Sequence, residues 1–168
     1  LTVVAERGLP IAVIGVASIP AGIAYSLGPP PNAYTACGEA WVAAFFGPIA
    51  VAGTAFAVGS PAGQLVRVAG DGPIGVAATA SLAPARWGGA MCGALAAGVL
   101  ALNNLRDRAS DARCGRRTFA VEFGARAGRL LAGGFIIAPF ALLPAAVMAG
   151  SLAPGALAAP LAEPATCA

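Results

Sequence analysis

Four long stretches without a charged residue organise the chain: Leu9 to Leu27, Ala40 to Val58, Trp87 to Leu105 and Leu130 to Met148, each of 19 residues. Crossing about 30 Å of hydrocarbon takes roughly 20 helical residues. The pattern therefore predicts four membrane helices, at about 9–27, 40–58, 84–105 and 130–149, joined by polar connections at 28–39 and 106–129. The implied fold class is all-α, a polytopic transmembrane helical bundle in a single domain over 1–168. Pro10, Pro20, Pro48, Pro139 and Pro144 fall inside the runs. Prolines are tolerated in membrane helices because neighbouring groups re-satisfy the freed backbone. Gly89 and Gly93 sit at a close-packing interval, although an Ala- and Gly-rich composition produces such pairs by itself. The stretch 73–84 is apolar until Pro84 and Arg86 interrupt it, and Arg86 reads as snorkelling at the end of the third helix. The apolar part of the tail 151–168 is too short to span.

Composition narrows the class further. The sequence is 58% hydrophobic and 10% charged, against about 25% charged in a soluble domain, which excludes an ordinary water-soluble globule. Every base is Arg, with neither Lys nor His present. Histidine-based catalysis and His-ligated zinc are thereby excluded, and a net charge of +3 gives no basic surface for nucleic acid. Cys37, Cys92, Cys114 and Cys167 are far apart and read as small apolar filler. The charges are unevenly placed: Arg106, Arg108, Arg113, Arg116, Arg117, Arg126 and Arg129 face only Asp107, Asp111 and Glu122 in one segment, a local net of +4. By the positive-inside rule that segment lies in the cytoplasm. The connection 28–39 then shares its side, and 59–73 lies opposite.

Asn103, Asp107 and Asp111 are spaced by four, so a continuing helix stacks them on one face, with Asn104 and Arg108 beside them. Two carboxylates with room for phosphate oxygens suit Mg²⁺, and Arg106, Arg113, Arg116 and Arg117 supply forked donors for phosphate. The same residues equally describe a charged loop whose Asp and Arg side chains pair and set topology. D-x-x-x-D alone does not separate these readings. An ion pathway, the third option, would place acids in mid-membrane, whereas both aspartates lie just past the apolar run.

The flanking residues separate them. NNLRDRASDARCGRRTFAVEFG, from Asn103 to Gly124, resembles the second aspartate motif of the UbiA superfamily of intramembrane prenyltransferases. It is most similar to the 1,4-dihydroxy-2-naphthoate polyprenyltransferase branch, approximately NNLRD-x-x-x-D-x-x-x-GK-[RN]-T-LAV-x-x-G. Arg116 stands where that pattern has Lys. YSLGPPPNAYTACGEAWVAAFFGPIAVAGTAF, from Tyr25 to Phe56, resembles a second block of the same branch, with Asn32 and Thr35 departing from it.

The resemblance implies transfer of a polyprenyl group from polyprenyl diphosphate to 1,4-dihydroxy-2-naphthoate, giving demethylmenaquinone with release of CO2 and pyrophosphate. It implies Mg²⁺ on Asp107 and Asp111, assisted by Asn103, diphosphate on Arg106, Arg116 and Arg117, and acceptor contacts from Tyr34 and Glu39. For Glu39 a capping or packing role is an equal alternative. A multi-pass protein of the cell (inner or plasma) membrane is expected, with the lipid bilayer as its environment. Other aromatic acceptors, or a non-enzymatic transport or structural membrane protein, are the alternative functions. The family carries a first Asp-rich motif two helices earlier, and no such motif precedes Leu9. The expectation is an internal fragment of about four complete helices, holding half of an active site and inactive by itself.

Overall fold

The computed structural model describes residues 9–58 and 83–157. The expected connection 59–73, the stretch 73–82, Cys167 and the tail from 158 lie outside the described residues. Every regular element among those described is helical, as the apolar runs require.

Helix α1 (Leu9–Leu27) carries no charge and contains Pro20. Gly28 and the prolines 29–31 stop it, because proline cannot donate to the next turn. A single 3₁₀ turn, Asn32–Tyr34, follows. The second apolar run does not form one helix. Helix α2 (Gly38–Ala44) opens into a π-turn at Phe45–Ile49, and α3 (Ala50–Val58) resumes. Pro48 has no N–H to give, and Gly47 leaves helical geometry at φ −100° and ψ −109°. Among the described residues three segments are long and apolar enough to cross a membrane: Ala12–Tyr34, Pro84–Arg106 and Phe119–Met148.

Helix α4 (Ala83–Arg106) is followed by the short α5 (Arg108–Arg113) and the long α6 (Phe119–Met148). The last helix starts eleven residues before the expected 130, inside the segment read as the loop 106–129. It is kinked at Gly124, whose φ of 84° and ψ of 168° a side chain would resist. Glu122, Arg126 and Arg129 hide this start of the helix from a scan for uncharged runs.

Helices α4 and α6 form the main pairing, and the buried apolar residues of the described chain are alanines: Ala94, Ala97 and Ala101 on α4, Ala120, Ala132 and Ala146 on α6. On another flank α4 meets the π-turn backbone to backbone. A Cβ on Gly47 would stand 2.5 Å from the Gly89 carbonyl oxygen, and one on Gly93 would collide with the Ala43 carbonyl oxygen. The Gly89 and Gly93 pair is thus a real crossing point, of the small-residue kind that helices use where lipid is as apolar as leucine. The large side chains face outward, among them Leu27, Leu130, Ile137, Phe140 and Met148. Such an inverted arrangement suits hydrocarbon as solvent. Arg86 is exposed at the start of α4, as snorkelling requires. Cys37, Cys92 and Cys114 are exposed free thiols, so they are not core filler.

Candidate functional site

The polar connections meet at one end of α4. Helix α4 stops at Arg106, and Asp107 takes φ −89° and ψ 3° before α5 begins. The i→i−4 ladder nevertheless runs through the break: Asp107 N–H donates to Asn103 O, and Asp111 N–H to Asp107 O, both at 2.9 Å. The four-residue spacing of Asn103, Asp107 and Asp111 is kept along the backbone, but the two carboxylates have different surroundings.

Asp107 is half-exposed and gripped by its neighbour, Arg106 Nε and Nη2 donating to Oδ1 and Oδ2 at 2.9 Å each. The Arg106 hydrogen bonds hold its carboxyl below the usual carboxylate range, and the charges of Arg106 and Arg116 add to this. Asp111 is buried, its side chain 8% exposed, and its Oδ1 receives Arg116 Nη1 at 3.4 Å. Arg116 N–H donates to the Asp111 backbone oxygen at 2.9 Å, closing the turn after α5. Among the described residues no three His, Cys, Asp or Glu side chains gather into a metal cage. The hard oxygens of Asp107 and Asp111 fit the one or two carboxylates that Mg²⁺ takes when phosphate completes its shell.

The loop 28–39 joins this end through Tyr34 and Glu39. Tyr34 O accepts the Arg117 N–H at 2.7 Å, and the Tyr34 ring lies under the Arg116 guanidinium, 4.3 Å from centroid to Cζ. Tyr34, expected on the acceptor side, therefore sits beside the diphosphate candidates. Glu39, in the first turn of α2, is buried, and Asn104 Nδ2 donates to its Oε1 at 2.9 Å. Its Oε2 is buried with no hydrogen-bond partner among the described residues. Glu39 thus links two elements instead of capping its own helix. Arg117 pairs with Glu122, while Asn103 is exposed on the last turn of α4.

Sequence reasoning missed two contacts and one buried hydroxyl. Asn104, named only as a neighbour, is the partner of Glu39. Arg108 Nε donates to the Ala120 carbonyl at 2.9 Å, tying α5 to α6. Thr118, extended at φ −60° and ψ 160° before α6, buries a hydroxyl with no partner. These pairs join residues 65 and 12 apart, and no local spacing signals them.

Comparison with known proteins fits this arrangement. The UbiA prenyltransferase family matches residues 1–165. The chain is 35% identical over 117 residues to a 1,4-dihydroxy-2-naphthoate octaprenyltransferase of Haemophilus influenzae, covering 70% of this chain and 32% of that protein. It is also 35% identical over 123 residues to a protein of the same name from Mycobacterium tuberculosis, covering 73% of this chain and 36% of that one. The chain thus spans about a third of the length of these curated relatives. No solved structure matches it. With a family match over nearly its whole length, and with described residues that are all-helical in their regular structure and include three segments able to cross a bilayer, this chain belongs to the UbiA prenyltransferase family and is a multi-pass membrane protein.

Proposed function

We propose that the chain contributes the second-aspartate half of an intramembrane aromatic prenyltransferase site. The reaction is transfer of a polyprenyl group from polyprenyl diphosphate to 1,4-dihydroxy-2-naphthoate, with release of CO2 and pyrophosphate to give demethylmenaquinone. The observation that carries this reading is the convergence of Asp107, Asp111, Arg116 and Tyr34 from two connections onto one end of α4. The acceptor assignment draws on the names of the two relatives.

Breaking the allylic C–O bond builds negative charge on the departing diphosphate, and preorganised positive charge lowers that barrier. Asp107 and Asp111 would hold Mg²⁺, with Asn103 beside them; bound there, the ion supplies charge neutralisation to the leaving group. Arg106, Arg116 and Arg117 bind phosphate oxygens, which requires Arg106 and Arg117 to exchange their carboxylate partners for the ligand. The electron-rich ring is the nucleophile, so the absence of His from the chain is no obstacle. Apolar walls keep water from the cation. A cleft lined by Ile14, Gly15, Phe45, Ile49, Ala50 and Gly53 has the chemistry for an isoprenoid unit. Glu39 is the candidate contact for the acceptor, and reaching its buried Oε2 requires the surrounding side chains to open. The site end faces the cytoplasm of a cell membrane, as the excess of Arg there directs.

The test supplies the complete membrane-embedded protein with a polyprenyl diphosphate and, separately, 1,4-dihydroxy-2-naphthoate, 4-hydroxybenzoate and homogentisate, with and without Mg²⁺. Mg²⁺-dependent product with the naphthoate and little with the others is the expected result. Product from another acceptor would keep the reaction class and overturn the acceptor. No transfer to any of them would overturn the reading.

A further inference from the structure

Three arginines stand where a diphosphate would meet them, and they are held in two different ways. Arg106 gives Nε and Nη2 to the two oxygens of Asp107, and Arg117 gives the same pair to Glu122. In both, the fork that would grip a phosphate already grips a carboxylate. Arg116 is different. Its polar contacts are long, Nη1 at 3.4 Å from Asp111 Oδ1 and Nη2 at 3.5 Å from Tyr34 Oη. Its remaining hold is the Tyr34 ring, 4.3 Å from Cζ to centroid. A π face attracts a guanidinium through its flat side, whereas the N–H donors radiate in the plane. The ring thus fixes the position of Arg116 without consuming its donors.

Resting on the prenyl-diphosphate reading above, we propose that Tyr34 is a positioning residue for the diphosphate, acting through Arg116. The backbone on both sides supports this. Tyr34 O takes the Arg117 N–H at 2.7 Å, and Arg116 N–H is fixed on Asp111 O at 2.9 Å, so the ring restricts what the backbone leaves free, the long Arg116 side chain. An arriving diphosphate takes the in-plane donors of Arg116 in place of one long ion pair and leaves the Asp111 carboxylate open to a cation. Tyr34 thereby serves the leaving group and not the aromatic acceptor.

The experiment uses the complete protein in nanodiscs and measures binding of inorganic pyrophosphate at fixed Mg²⁺, with Michaelis constants for polyprenyl diphosphate and for acceptor. Tyr34→Leu should weaken pyrophosphate about tenfold and raise the diphosphate KM to match, leaving the acceptor KM in place. Tyr34→Phe and Tyr34→Trp, which keep a π face, should stay within about twofold of wild type. In an Arg116→Ala background Tyr34→Leu should add nothing, because the two act as one unit. Tyr34→Phe as weak as Tyr34→Leu, additive losses in the double variant, or a change confined to the acceptor KM would each overturn the proposal. If Tyr34→Leu does not fold, the Phe and Trp variants decide: retained binding supports the ring, and a tenfold loss in either refutes it. A wild-type protein that neither binds pyrophosphate nor transfers a prenyl group fails the underlying reading and takes the proposal with it. Wild-type binding that all Tyr34 variants share fails the proposal alone.

Discussion

The two halves of α4 are held by opposite means. Near its start, Gly89 and Gly93 let the π-turn approach until backbone touches backbone. At its end, Asn104 and Arg106 reach out through side chains to Glu39 and Asp107. The first contact works because side chains are absent, and it has one geometry. The second is a set of exchangeable pairs, several of them exposed, whose donors can be handed to a ligand. A bilayer gives helices no hydrophobic drive to associate, so the crossing supplies rigidity while the polar end offers exchangeable donors.

Substitutions can break or sharpen this contrast. The largest loss is expected from Gly93→Val, whose side chain would strike the Ala43 carbonyl. A backbone atom cannot move aside, so about 3 kcal/mol or more of stability should go, read as loss of folded protein in a thermal-shift assay. Next comes Asn104→Leu, which leaves the buried Glu39 carboxylate without its hydrogen bond and should cost about 2–3 kcal/mol. Adding Glu39→Leu should return most of that loss, since removing both partners spares the desolvation penalty; no recovery would mean that the pair does more than satisfy itself. Gly133→Ala is the control for the crossing. A Cβ there meets nothing within 4 Å, so stability should rise by up to about 1 kcal/mol on helix propensity alone. A loss comparable to that of Gly93→Val would erase the distinction between crossing and free glycines. The smallest effect belongs to Thr118→Val, where an unpartnered hydroxyl is replaced by a methyl of similar shape. Removing the hydroxyl spares its desolvation cost, so stability should rise slightly, by less than about 1 kcal/mol, and a loss would reveal a partner for Oγ1.

Much of this was legible in the sequence because it depends on local pattern. Uncharged runs located α1, α4 and the membrane part of α6, and the 103–124 segment pointed to the family. The break of the second run was harder to see. Pro48 was visible, but prolines also lie inside α1 and α6 without dividing them; the departure from helical geometry is at Gly47. In the site, the spacing of Asn103, Asp107 and Asp111 was legible, while the difference between a half-exposed Asp107 and a buried Asp111 was not. That difference comes from the turn at 114–118 folding Arg116 back over α5. The contact of the Tyr34 ring with Arg116, 82 residues away, leaves no trace in local pattern.

The central claim is that Asp107 and Asp111 form the cation-binding half of a prenyl diphosphate site. It is tested most directly by Mg²⁺-dependent prenylation of 1,4-dihydroxy-2-naphthoate in membranes carrying equal amounts of wild type, Asp107→Ala and Asp111→Ala of the complete protein. Activity in the wild type and its loss in both variants is the predicted result. Wild-type rates in either variant would contradict the account.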